Sequence, residues 1–255
     1  MIEAIHKFGP HQAIIVRSNK VKEELRSSFQ KRYGHPPLIF TIFEIKGLEF
    51  ERNLIWDFFP KYSEEAAFWE DTFRQINLGN EEKIRNDNNK QRTLASETNL
   101  LYVGVTRGSH YCYIFDNDTP SAFWNYKPIH ERMQVHRNLA ILQESEEHLV
   151  ETTDQDWLKE GLRLLKKKLY DQALDCFNRI ENTWEISIYK HECLGYLARE
   201  NENFDEALEH FKKANMHEEV VACLDIKEQF ITAYNYIKKL LYDLLVILMK
   251  SKHGP

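Results

Sequence analysis

Thr41-Ile42-Phe43-Glu44-Ile45-Lys46-Gly47-Leu48-Glu49-Phe50 joins two apolar runs through a glycine. Leu38 to Phe43 reads as a strand buried on both faces, which places Phe43 in the core. Gly47 permits a tight turn and close backbone approach. Asn53-Leu54-Ile55-Trp56 reads as the next strand, stopped by Pro60. Upstream, Ala13-Ile14-Ile15-Val16 is a third short run rich in β-branched residues. Val21, Leu25 and Phe29 then follow at helical spacing until His35-Pro36-Pro37 breaks the pattern. Downstream, Ala66 to Ile76 has helical character. Residues 78–98, with Asn86-Asp87-Asn88-Asn89, read as a polar surface loop, and Leu100, Leu101, Val103 and Val105 as a short helix or turn. Tyr111-Cys112-Tyr113-Ile114-Phe115 supplies a fourth strand. Strands alternating with helices predict an α/β domain with a parallel sheet over residues 1–126.

The bulk numbers fit a globular chain of one large or two modest domains: 255 residues, 42% hydrophobic and 29% charged. The net charge is -6, and residues 1–125 carry 16 Lys+Arg against 17 Asp+Glu. No broad basic surface is expected, so any contact with a phosphate backbone must be local. Cys112, Cys176, Cys193 and Cys223 show no metal-ligand spacing. They predict free thiols in a reducing compartment and no metal site. The N-terminus lacks an apolar signal segment. The apolar tail of residues 240–249 is too short to span a bilayer and is interrupted by Asp243, so it reads as a buried or frayed terminal helix. An intracellular chain, in cytoplasm or nucleus and without membrane partners, is expected.

Residues 127–153 read as a connector containing the charge run Glu144-Ser145-Glu146-Glu147, and Thr152 with Gln155 fits a capping box for the next helix. Residues 154–255 are helical and repeat. Shifted by 34, Tyr170-Asp171-Gln172-Ala173-Leu174-Asp175-Cys176-Phe177 lies over Phe204-Asp205-Glu206-Ala207-Leu208-Glu209-His210-Phe211, and Gly161 over Gly195. Period and pattern resemble the tetratricopeptide (TPR) repeat. Gly161, Ala173, Gly195 and Ala207 allow close helix approach, and Phe177 and Phe211 are expected to fill the gap between repeats. Glu185 and Glu219 stand where the customary repeat-ending proline would be, and a third unit after Met216 is helical but off pattern.

Three segments of the first half come in the order of motifs IV, V and VI of UvrD-like superfamily 1 helicases. Gln12-Ala13-Ile14-Ile15-Val16-Arg17-Ser18-Asn19 resembles motif IV; Thr41 to Phe50 resembles motif V; Glu97 followed by Leu101-Tyr102-Val103-Gly104-Val105-Thr106-Arg107-Gly108 resembles motif VI. The resemblance covers about residues 10–125 and implies the second RecA-like domain of such an enzyme. It implies that Arg17 reaches ATP phosphates, that Glu49 lies near the nucleotide sugar beside Gly47, and that Thr41 contacts a phosphate of single-stranded nucleic acid. Arg107 aligns with the arginine finger, worth roughly 10³–10⁵ in rate in phosphoryl transfer. Phe43 replaces a histidine that touches nucleic acid in the family, and Gly108 replaces the usual alanine, a mild change. Only 29 residues separate Arg17 from Lys46, so the large inserted subdomain of bacterial relatives is absent. The close form of motif V, with a TPR-like C-terminal region, is more similar to TPR and ankyrin repeat-containing proteins.

No GxxxxGK[ST] occurs in the chain, so no loop here cradles β- and γ-phosphates or places a hydroxyl on Mg²⁺. Arg17, Glu49 and Arg107 are expected to line half a cleft. ATP and Mg²⁺ would then be held only with a first RecA-like domain, and the chain alone would be inactive. Three functions follow from the residues: part of a helicase-type ATPase, an inactive helicase-derived scaffold whose repeats bind protein partners, or a single-strand binder without ATPase.

Overall fold

A computed structural model describes residues 5–59, 64–80, 87–116, 121–135, 152–226 and 229–252. The chain forms two compact units, Met1–Trp157 and Leu158–Pro255. The Glu144–Glu147 run lies outside the described residues.

In the first unit, β1 (Gln12–Val16), β2 (Ile39–Thr41), β3 (Phe50–Trp56) and β4 (Gly108–Phe115) make one sheet. Its order is β2-β1-β3-β4 and every pair is parallel. The expected α/β class and its four strands are present. Parallel strands need long return connections. α1 (Asn19–Tyr33) links β1 to β2, while α2 (Glu64–Asn77) and α3 (Asn88–Val105) lie between β3 and β4. Ser18 caps α1 by accepting from the Val21 amide, and Gly34 ends it at φ 81. Leu25 and Phe29 of α1 pack with Ile14, Val16, Ile39 and Leu54 of the sheet. α3 lies against the sheet at Gly104, where an added Cβ would sit 3.0 Å from Ile42 and 3.4 Å from Ile55. Asn53 pins that approach by donating from Nδ2 to the Gly104 carbonyl at 2.7 Å.

Residues 88–98, where the polar sequence predicts a loop, are the first eleven residues of α3. The polar Asn/Asp run is its start signal: Asp87 accepts from the amides of Asn89 and Lys90. Beyond α2, an aromatic cluster joins Phe59, Trp69 and Phe73 to Phe123 and Trp124 of a short 3₁₀ helix, Ala122–Asn125. One more turn, α4 (Lys127–His130), follows. The expected capping box is one residue later than Thr152/Gln155. Thr153 Oγ1 accepts from the Asp156 amide, and Asp156 Oδ2 accepts from the Thr153 amide.

The described residues of the second unit form three helical hairpins: α5 (Asp154–Lys166, whose first turn precedes the unit boundary) with α6 (Tyr170–Phe177), α7 (Trp184–Glu200) with α8 (Phe204–Lys213), and α9 (His217–Ile226) with α10 (Phe230–Lys252). The 34-residue period is also a period of backbone shape. Lys168 and Glu202 both take left-handed φ, 62 and 59. The Leu169 amide donates to Leu164, and 34 residues on the Asn203 amide donates to Ala198. Phe177 and Phe211 fill the gap between repeats, as expected, and are also seated within their own hairpins: Phe177 stacks on Tyr189 of the second hairpin, and Phe211 packs with Val220 and Cys223 of the third. A Cβ on Gly161 or Gly195 would come within 2.6 Å of the Phe177 or Phe211 ring respectively. Joints between hairpins use tyrosines: Tyr189 stacks on Phe177, and Tyr196 stacks on Tyr170 at 4.5 Å. Tyr196 also donates its hydroxyl to Glu219 at 2.9 Å, and Arg199 pairs with the same carboxylate. Glu219 thus ties the third hairpin to the second from the position where the pattern expects proline. All four cysteines are free, and all but half-buried Cys112 are buried. Burial pushes the Cys112 thiol up to about 12. The apolar tail lies within α10, and Leu241 and Tyr242 there are exposed rather than buried.

Candidate functional site

The turn after β2 explains what the motif V segment can present. Ile42 still donates to Val16 of the neighbouring strand, but the Ile45 amide then donates to Thr41 and that of Leu48 to Ile45. The side-chain period changes from two to three at that point. Ile42, Ile45 and Leu48 are buried, while Phe43, Lys46 and Gly47 face solvent. Phe43 is therefore not core as expected; it is 70% exposed. An exposed ring beside Lys46 has the chemistry to meet a base and a phosphate.

Thr41 is 4% exposed. Its hydroxyl accepts from the Glu44 amide at 3.3 Å, and its amide donates to Glu44 Oε2 at 2.6 Å. Lys22, buried on α1, completes the group by pairing with Glu44 Oε1 at 2.7 Å. The threonine thus closes a capping box with a buried cation behind it. Thr-x-x-Glu is a visible signal for that box, although nothing in the sequence points to Lys22. Burial alone would raise the Glu44 carboxyl; the Lys22 hydrogen bond and charge and the Thr41 bonds outweigh it, leaving Glu44 below its ordinary value. Its contribution to stability is thus present above the ordinary glutamate value and is lost as pH falls through the lowered one. Lys22→Met removes the main lowering partner. The acid limb of unfolding, followed by near-ultraviolet circular dichroism, is expected to begin at higher pH in this variant. An unmoved limb would contradict the role of Lys22.

Gly47, Glu49 and Arg107 come together at the amino-terminal edge of the sheet. Gly47 holds φ 79 with nothing within 4 Å of an added Cβ, so only backbone strain opposes a side chain there. Glu49 is exposed. Arg107 ends the turn after α3, and its carbonyl accepts from the Phe50 amide at 2.9 Å. Its guanidinium donates from Nη1 to the Leu48 carbonyl at 3.2 Å, from Nε to Val103 at 3.0 Å and from Nη2 to Thr106 Oγ1 at 3.1 Å. The motif V turn and the motif VI arginine are thereby bonded to each other. Gly108 is no mild change from alanine: a Cβ would lie 2.5 Å from the Tyr111 carbonyl oxygen.

Arg17 does not join them. It follows the carboxyl end of β1, level with Asp57, whereas Arg107 is level with Glu49. Those positions differ by about eight residues of strand, roughly 25 Å at the usual rise. The expected single cleft lined by Arg17, Glu49 and Arg107 is thus divided between two edges of the sheet. Arg17 lies 5.5 Å over the Phe58 ring and forms a two-pronged pair with Glu97 of α3, with Nη2 to Oε1 at 2.9 Å and Nη1 on Oε2. Two parallel N–H···O bonds are the geometry a phosphate would also require. Glu97 takes that place inside the molecule. It stands in the motif VI segment, but its partner is legible only in three dimensions. Among the described residues no cluster of three or more His, Cys, Asp or Glu is set to hold a metal ion.

An alignment 197 positions long, covering 68% of this chain, is 24% identical to the human protein "TPR and ankyrin repeat-containing protein 1". That relative is named for its repeats. The chain spans 6% of its length. The match supports a relation to repeat-containing proteins, in agreement with the three hairpins. No family model matches the chain, and no solved structure matches it. Among the described residues no helix is long and apolar enough to cross a membrane.

Proposed function

We propose that the first unit is the second RecA-like half of a superfamily 1 helicase-type ATPase, supplying Arg107 to an ATP site completed by another RecA-like domain. The observation that carries this is the bonded junction of the two motif segments: Arg107 donates to Leu48 and accepts from Phe50, on either side of exposed Glu49. The donor set there suits a nucleotide. A guanidinium can meet phosphate oxygens in pairs, a carboxylate can accept from a ribose hydroxyl, and a glycine backbone can approach closely. Magnesium would be held by the other half, since the sequence has no GxxxxGK[ST] and, among the described residues, no cluster of three or more His, Cys, Asp or Glu is set to hold a metal ion. Arg107 would stabilise charge on the transferring phosphoryl group. Arg17, closed on Glu97, would hold α3 to β1. Mixing the chain with a first RecA-like domain and measuring phosphate release is the test. Restored hydrolysis is expected, and its absence with every first domain that binds the chain would defeat the proposal.

A second reading gives the work to the hairpins: an inactive helicase-derived domain beside a repeat unit that binds a protein segment. The stacked joints at Tyr189 and Tyr196 and the repeat-protein relation favour it. Deleting residues 154–255 should then abolish recovery of protein partners, and full retention would count against it.

A further inference from the structure

His191 of α7 and His210 of α8 face each other across the second hairpin. Their Nδ1 atoms are 2.9 Å apart and their ring centroids 5.1 Å apart. At that separation one nitrogen must donate and the other accept. The donor ring therefore carries a proton on Nδ1, and the acceptor carries its proton, if neutral, on Nε2. The contact survives when neither ring is charged or when one is. It fails when both are, because two N–H groups would then point at each other and two positive charges would sit side by side.

We propose that this pair is a proton-sensitive clasp that closes α7 on α8 near neutral pH and releases them in mild acid. The surrounding charges favour release. Lys213 of α8 adds a positive charge that acts on His191, together with His210. Glu206 lies 3.8 Å from His210 Nε2, but it is itself more than half exposed and offsets little. The charges that act on His191 are those of His210 and Lys213, both on α8, while the charge that α9 brings to α7, Glu219, is engaged by Tyr196 and Arg199. Burial first, then His210 and Lys213, hold His191 below the ordinary histidine value. The stability that the clasp contributes is accordingly complete above that ordinary value and is lost as pH falls through the lowered one. Release would be felt beyond the pair. α8 also carries Phe211, the ring seated on Gly195 and packed with Val220 and Cys223 of the next helix.

The full chain titrated from pH 8 to 5 in the presence of EDTA, with imidazole ring signals followed by nuclear magnetic resonance, tests this. His191 is expected to titrate below a free histidine and to move back toward the ordinary value in His210→Gln. The same titration in both proteins would overturn the clasp. Should His210→Gln not fold, the wild-type curve decides. A biphasic His191 curve supports coupling, and a single sigmoid at the ordinary value overturns it. In parallel, the melting temperature of wild type should fall more steeply between pH 7 and 5 than that of His191→Gln, and equal slopes would overturn the proposal. The outcome is independent of any nucleotide chemistry in the first unit.

Discussion

Arg107→Ala is expected to cut kcat of the reconstituted ATPase by about 10³–10⁵-fold, the range of arginine fingers in phosphoryl transfer. The fold should largely survive. Arg107 makes its bonds at a half-buried position, to two carbonyls and one hydroxyl. Net hydrogen bonds of this kind are worth about 1 kcal/mol each. Melting should therefore shift by a few degrees while turnover collapses. Arg107→Lys keeps the charge but loses the planar fork and the bond pattern to Leu48 and Val103, so most of the rate should still be lost. Glu97→Gln is the informative companion. It loosens Arg17 at the opposite edge, and a change of only a few-fold in turnover is expected if Arg107, and not Arg17, meets the phosphoryl group. Turnover of Arg107→Ala within tenfold of wild type would reject the finger assignment. Measuring phosphate release at saturating ATP, with a melting curve for each variant, separates the two kinds of loss.

Phe211→Ala is expected to destabilise the repeat unit by about 3–5 kcal/mol, the usual cost of deleting a buried aromatic ring. The ring is fully buried, rests on the bare backbone of Gly195, meets Tyr196 edge-on at 5.2 Å and lies under the Arg199 guanidinium at 5.6 Å. Domain stability is only about 5–15 kcal/mol in total, so this single loss should move the unit close to unfolding. Gly195→Ala attacks the same contact from the other side. Overpacking costs about 1–3 kcal/mol, and the better helix propensity of alanine returns about 1 kcal/mol. Its effect should therefore be the smaller of the two. Trp184→Ala is the control: that ring is 73% exposed, and a change within about 0.5 kcal/mol is expected. Urea unfolding followed by far-ultraviolet circular dichroism, with all three variants compared at equal slope, would check the order Phe211, Gly195, Trp184.

The strands were legible because β-branched runs buried on both faces leave a simple pattern, as at Ile14, Ile15 and Val16. The 34-residue repeat was legible because a ring pressed on a glycine fixes both residue types at once. What failed locally did so for physical reasons. Asn88 to Thr98 is polar because much of that stretch of α3 faces water, and an exposed helix face without apolar periodicity has the composition of a loop. The apolar run through Phe43 predicts a core position only if the strand continues past Thr41, where the chain has already begun to turn. The candidate site was half legible. Gly47, Glu49 and Arg107 lie together, whereas the separation of Arg17 depends on strand direction and register, which no motif encodes. The Lys22–Glu44 and Arg17–Glu97 pairs join residues 22 and 80 positions apart, and only folding makes them neighbours.

Tyr196 belongs to two joints at once, its face on Tyr170 of the first hairpin and its hydroxyl on Glu219 of the third. In a linear array each hairpin depends on its neighbours, and cooperativity travels through the interfaces between them. A single side chain shared by consecutive interfaces makes the middle hairpin the coupler of the whole row. Shortening that side chain to leucine would remove the Tyr170 stack and the Glu219 hydrogen bond in one change, weakening both communications at once, so helix pairs that melt as one body would come apart in steps.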